Sequence, residues 1–508
     1  MFKICIFVSV TFSKEKRLSF LAKEQVVDIH GRPYRRGLIV AVLLVGSFCT
    51  ILNQTILATA FPALMKAFNV STSTVQWLTT GFLMVNGIMI PVSSYLNRRF
   101  STKWLYFIAM CIFEAGTVTA WLAPSFSVLL IARLIQASAV GITMPLMQNI
   151  MLTIYPPNER GAAMGINGMV IGLAPAIGPT LSGWVIDNFT WRDLFGMIVP
   201  IVALVIVLAF FLMRDVLPNS KPEMDWYSLV FSSIGFGSML YGFSEVGDRG
   251  WTSPVVITGI IIGDIFVAIL VHRQSQLSSP FLDFSVFKTP AFLLTTVLSS
   301  IVMMAMVSVE MVVPLYLQII HGMSAFHSGL TLLCGALMMG IMSPITGNLF
   351  DRYGARRLAT VGMFILACGT VPFAFLNRDT PTIYIVVLYA VRMFGISMVM
   401  MPVTTSGMNA LPMKMIPHGT AVNNTVRQVA TSVGTAIMVS VLTNVTNAHR
   451  PTHALLVRNP LEYKIHMINA TLSGYHAAFW FAVGFAVLGL ALTTLLSSTN
   501  NAEKGGAQ

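Results

Sequence analysis

The chain has 508 residues, 55% of them hydrophobic and 10% charged, with a formal charge of +12 and a mean hydropathy of +0.77. Soluble domains carry about 25% charged residues, so a soluble globular enzyme is excluded; transporter, channel, receptor and membrane-embedded enzyme remain. The Lys and Arg residues lie between apolar runs rather than in patches, which argues against nucleic acid, and the five cysteines show no CxxC or histidine spacing for a metal site or redox pair.

In chain order, residues 1–37 read as a basic cytoplasmic tail whose apolar start, Met1 to Phe12, is too short to span. A mis-assigned start codon explains that stretch equally well. Apolar runs follow at 38–60, 75–96, 104–123, 127–149, 161–185 and 193–213. Two more lie at 227–247 and 254–272, and six at 292–320, 328–348, 358–376, 382–405, 418–443 and 475–497. Each approaches the roughly 20 residues that a hydrocarbon core of about 30 Å requires, which predicts fourteen transmembrane helices. Continuous apolar character excludes barrel strands of period two. Asn53, Gln54, Thr55 and Pro62 predict an early end to the first helix. Residues 444–474 read as one long external loop, its His449, His453 and His466 too irregular for a metal site. Residues 498–508 form a short tail. Lys and Arg favour one set of loops by about three to one, which puts both termini in the cytoplasm.

One loop pattern occurs twice. SYLNRRFSTKWL (94–105) follows the second span and GNLFDRYGARRL (347–358) the tenth, with Leu96 matching Leu349, Arg99 matching Arg352 and Phe100 matching Tyr353. The offset of eight helices predicts two six-helix halves, 38–213 and 291–497, with two helices inserted between them in 214–290.

Five motifs in order complete the reading. LNQTILATAFP (52–62), IARLIQASAVGITMP (131–145), GLAPAIGPTLSGW (172–184), WRDLF (191–195) and PLYLQIIHGMSAFHSGL (314–330) resemble the major facilitator superfamily over roughly 37–497. The similarity is to its fourteen-helix drug:proton antiporter branch, of the multidrug and lincomycin-resistance exporter type. That resemblance implies an all-α integral membrane fold of two pseudo-symmetric six-helix bundles plus two inserted helices. It also implies alternating access without a cofactor, driven by the proton gradient.

In the fifth span Gly172, Pro175, Gly178, Pro179 and Gly183 let helices approach closely and bend; the resemblance makes them the antiporter motif. Arg133, inside the fourth span, must face the bundle interior or a wet cavity because an isolated charge at membrane depth costs about 3 kcal/mol or more. The resemblance gives it a role in proton relay. Gln136 lies one helical turn away on a similar face. Glu114, Asp264 and Glu310 are acids within spans, able to take a proton on one side and release it on the other as their surroundings change. Glu310 and Glu114 are the favoured proton sites, while Asp264 reads as an intersubunit or headgroup contact. Asn53, Gln54, Gln136, Gln318 and Arg427 are candidate cavity residues, and Arg392 and Arg427 are the second-half charges to follow. Methionine clusters at 303–311, 338–342 and 398–415 suit a cavity for varied apolar ligands, or ordinary packing.

Two departures from the family pattern stand out. Asn53 replaces the branch's usual Asp, so a titrating group is lost or moved. Arg98 and Ser101 replace Asp and Gly in the first loop, whereas the second keeps Asp351, Arg352, Gly354 and Arg356. With Arg98 and Arg99 these form a candidate cytoplasmic gate, Asp351 at a helix N-terminus pairing with Arg, or a plain basic turn. The reading is a monomeric bacterial plasma-membrane protein that exports small amphipathic drugs or antibiotics in exchange for protons, with the lipid bilayer and no nucleic acid as partner. A dedicated exporter of one metabolite, peptide or siderophore is the alternative; a membrane sensor or enzyme lacks motifs, there being no P-loop, HExxH or GxSxG.

Overall fold

A computed structural model describes residues 26–496, apart from 58–59, 219–224, 278–279 and 281. The apolar start Met1 to Phe12 and the tail 498–508 therefore lie outside the described residues. Among the described residues fourteen helical spans are long and apolar enough to cross a membrane. In the first half these are α1 (Arg36–Thr55), α2 (Thr72–Arg99), α3 (Thr102–Trp121), α4 (Phe126–Ile154), α5 (Arg160–Asn188) and α6 (Val199–Leu212), whose span also takes in the preceding turn Asp193–Gly196. Next come α7 (Trp226–Arg249) and α8 (Pro254–Gln276). The second half holds α9 (Pro290–Ile319), α10 (Ala325–Tyr353), α11 (Ala355–Thr370), whose span continues through the tighter turn Val371–Phe375, α12 (Thr382–Asn409), α13 (Ile416–Ala448) and α14 (Pro460–Thr493).

The packing repeats with the offset of eight. In the first half α1 packs on α4, α5 and α6, while α2 and α3 pack on α4; in the second, α9 packs on α12, α13 and α14, while α10 and α11 pack on α12. The halves meet along two seams, α5 with α10 and α2 with α13, which exchange under the same operation. Helices α7 and α8 pair with each other, and α7 lies over α2 and α13, covering one seam. Asp225, the N-cap of α7, accepts from Arg273 of α8 at 2.8 and 2.9 Å. That bond holds the Asp225 carboxyl below the usual carboxylate range.

The first helix ends at Thr55, as its polar residues predict, and a separate short helix, Phe61–Phe68, carries Pro62 in its first turn. The long loop expected at 444–474 does not form. Helix α13 runs on to Ala448, His453–Arg458 adds a turn, and α14 starts at Pro460, fifteen residues before the expected 475. With 33 residues α13 is about 50 Å long, so both helices leave the hydrocarbon and continue in water, where polar residues do not stop a helix.

Also unforeseen is a hairpin, Val26–Val27 with Pro33–Tyr34, whose turn is closed by Asp28 accepting from His30 and Arg32 at 2.9 and 2.8 Å. It docks under the first half, Ile29 N–H donating to Asp215 O at 3.0 Å. Close by, the Arg36 guanidinium lies 5.7 Å over the Tyr155 ring. Burial pushes the Tyr155 phenol up to about 12.

Candidate functional site

Arg133 is fully buried in the first half. Its guanidinium donates to Asn53 O and Gln136 Oε1 at 3.0 Å, to Leu78 O at 3.4 Å, and closely to Asn53 Oδ1; it lies 4.2 Å over the Phe82 ring. Gln136 donates in turn to Thr117 at 3.0 Å, tying α4 to α1 and α3. The amide of Asn53 thus occupies the place of a counterion. Among the described residues no carboxylate pairs with Arg133, and its Nη2 is buried without a partner.

Arg392 repeats this arrangement. It too is fully buried, donates closely to Ala305 O on α9 and at 3.2 Å to Thr370 on α11, the helices that correspond to α1 and α3. Here a carboxylate is present. Glu310, half-buried on α9, lies within electrostatic reach of Arg392 and Tyr389. The second network therefore has a carboxylate within electrostatic reach, though no ion pair joins it to Arg392 among the described residues, and the first is held by amides.

Small residues set the α5–α10 seam. A Cβ added at Gly165 would lie 2.5 Å from Ser343 O, one at Gly168 3.3 Å from Ser343 and 2.6 Å from Met401 of the neighbouring α12, and one at Gly172 2.9 Å from Met339. At Gly178 it would run into Thr55 of α1, whereas at Gly183 it would meet Phe326 at an ordinary 3.4 Å. Pro175 and Pro179 lie inside the continuous α5. Only part of the antiporter motif, therefore, requires glycine for close approach.

At the face bearing the basic loops, called inner here, the halves are cross-linked. Both Asp351 carboxylate oxygens accept from the α5 N-terminus, Gly161 N–H and Ala162 N–H, at 3.0 Å each. Arg160 reaches Asn409 at 2.8 Å, and Asn424 of α13 donates to Gln148 of α4 at 2.8 Å. At the other seam Asp283 N–H donates to His418 Nδ1 at 3.0 Å, with Ser94 Oγ 3.4 Å away. An arginine instead of Asp at position 98 cannot cap α13; Arg98 donates to Pro280 O at 2.7 Å. Likewise Gly354 has φ of 76°, which glycine favours, whereas Ser101 at −65° caps α3, accepting from Trp104 N–H at 3.4 Å. The two loops differ in residue because they differ in turn.

Other expected residues are more scattered. Glu114 is half-buried, its Oε2 without a partner, near Cys49 and one helical turn from Thr117, with no hydrogen bond to Arg133 among the described residues. Gln54 is half-buried; Gln318 is exposed at the end of α9, and Asp264 is exposed midway along α8. Arg99, Arg352 and Arg356 are exposed on the inner face. Arg427 is buried on α13. Sequence reasoning missed Thr370, Ala305, Tyr389, Gln148, Asn409 and His418. The offset of eight helices pointed to the first three; the others carry no motif.

Comparison with known proteins places this geometry. The family model described as Major Facilitator Superfamily matches residues 43–435, more than half of the chain. The chain belongs to the major facilitator superfamily. Among relatives in this superfamily, the uncharacterized MFS-type transporter YcnB of Bacillus subtilis (strain 168) is 46% identical over 95% of this chain and 99% of its own. The lincomycin resistance protein LmrB of the same organism is 40% identical over 88% of this chain and 93% of its own. The multidrug export protein EmrB of Haemophilus influenzae is 26% identical over 79% of each. By fold the chain is similar to the human organic anion transporter MFSD10, with a TM-score of 0.63 at 13% identity, covering 90% of this chain and 99% of that one. It also resembles the proton:xylose symporter XylE, with a TM-score of 0.60 at 13% identity over 91% and 95%. This major facilitator is a multi-pass membrane transporter of small molecules with bacterial relatives, not an enzyme.

Proposed function

We propose that this transporter exports small amphipathic molecules, drugs and antibiotics among them, from a bacterial cytoplasm in exchange for protons. The observation that carries the reading is the pair of buried arginine networks related by the repeat, only one of which has a carboxylate within electrostatic reach. Protonation of Glu310 would remove a negative charge that acts on Arg392, so a proton arriving from outside changes the charge of the second half. Arg133, held by Asn53 and Gln136, keeps its charge throughout and fixes α1, α3 and α4 as one body. Glu114 serves as a secondary proton site. The bundles are taken as 38–213 and 291–497, with 214–290 inserted; both termini are cytoplasmic, and the protein acts as a monomer in the plasma membrane.

The inner cross-links at Asp351, Arg160 and Gln148 describe a state closed toward the basic face. Export then alternates this state with one in which those bonds are broken and the inner face opens. The similarity to LmrB and EmrB supports a drug as cargo. The test uses everted vesicles holding a proton gradient: amphipathic dyes and antibiotics are added while a pH-sensitive fluorophore is followed. Substrate-evoked proton release lost in both Glu310→Gln and Arg133→Ala is expected. Proven binding without proton movement would overturn the antiport reading, and release by one compound alone would favour a dedicated exporter.

A further inference from the structure

We propose that the transported molecule carries an anionic group, a carboxylate, sulfonate or phosphate, and that Arg427 binds that group at the seam between the halves. The inference rests on the exporter reading and names its substrate class. Among the described residues of the spans, every buried charged side chain is an arginine: Arg133, Arg160, Arg392 and Arg427. Three of these have strong acceptors within the protein, Arg133 its amides and carbonyls, Arg160 the Asn409 amide, and Arg392 the Thr370 hydroxyl and the nearby Glu310.

Arg427 has none. Among the described residues it donates only to Met303 Sδ, a weak acceptor, at 3.4 Å, and its Nε is buried with no partner, while the residue as a whole is 8% exposed. It lies eleven residues into α13, about 16 Å from the helix start. Its neighbours on that helix face the other half: Asn424 bonds Gln148, and Gln428 lies against Gly87 of α2. A permanent cation at that depth, lacking an oxygen acceptor, is costly and creates a positive potential in a low-dielectric interior. An anion that reaches it along the seam supplies the missing acceptors. Met303 and Met304 of α9, the latter packed on Gly434, offer an adaptable apolar wall for the rest of the molecule.

The test uses the purified full-length protein in phosphatidylcholine vesicles and three probes with one dansyl-alkyl body: a carboxylic acid, its methyl ester and a trimethylammonium analogue. The acid is expected to bind about 10- to 100-fold tighter than the ester, with an affinity that falls as salt rises. Arg427→Met is expected to bring the acid to the ester's affinity and leave ester binding unchanged, and Arg427→Lys to keep part of the preference. If Arg427→Met loses all binding, the lysine variant decides: a retained preference for the acid supports the site, and its loss overturns it. Trimethylammonium binding as tight as the acid's, or acid affinity unchanged in Arg427→Met, would overturn the proposal. So would abolition of acid binding by phosphatidylglycerol, which would make Arg427 a lipid headgroup site. Proton release evoked by the trimethylammonium compound without acid binding would discard this inference and keep the exporter reading; no release by any probe would discard both.

Discussion

Replacing Asp351 with Asn should open the inner face. The carboxylate accepts two backbone hydrogen bonds at 3.0 Å from the N-terminus of α5 in the opposite half. An amide retains one acceptor oxygen and no charge. The loss comprises one charge-assisted hydrogen bond, about 1.5–3 kcal/mol, and the attraction of a charge to the helix terminus, about 0.3–1 kcal/mol. Together they shift the equilibrium between inner-closed and inner-open states by roughly 20- to 700-fold. Asn149, fully buried beside Gln148 and with neither amide atom bonded, is a suitable reporter when changed to Cys in a cysteine-free background. In everted vesicles its reaction with an impermeant maleimide should accelerate by a large part of that factor in Asp351→Asn. Arg352→Gln, at an exposed position, should change the rate less than about twofold. A rate in Asp351→Asn equal to the parent's would refute the latch.

Three further outcomes are expected. Asn53→Asp gives Arg133 a carboxylate where an amide now stands; above the carboxylate's titration range thermal melting in detergent should rise, and an unchanged or lower midpoint would contradict a guanidinium short of a counterion. Gly165→Ala, whose Cβ meets backbone at Ser343 and Pro344, should cost about 1–3 kcal/mol, whereas Gly183→Ala, at 3.4 Å from Phe326, should melt like the parent. The depressed Asp225 carboxyl stabilises the native state above the unfolded pKa, about 3.9, and that stability is lost as pH falls through the native value. Asp225→Ala should lower stability by about 1–2 kcal/mol at neutral pH and flatten the acid limb of the melting curve, which a pH series of melts would check.

The spans were legible because a hydrocarbon layer imposes length and apolarity on every crossing, and the pairing of halves because one loop is written twice. Arg133 with Gln136 was legible from helical spacing. The polar segment 444–474 misled because α13 and α14 extend beyond the bilayer, where hydropathy carries no signal about helix continuity. The hairpin at Val26–Tyr34 has two-residue strands, too short for any period to show. The sequence favours Glu310 over Glu114 by its place before Pro314 in the first helix of the second repeat. Its proximity to a buried arginine arises only when α9 and α12 pack together. The inner cross-links from Gln148, Asn409 and His418 depend on contacts between halves that no local pattern records.

The most direct test of proton-coupled export is transport by the purified protein in sealed vesicles with a pH gradient as the sole energy source. Accumulation of an amphipathic substrate against its own gradient should follow the imposed gradient in direction and collapse with a protonophore. In Glu310→Gln it should be lost, with binding of the same substrate retained. Accumulation indifferent to the protonophore, or undiminished in Glu310→Gln, would contradict the account.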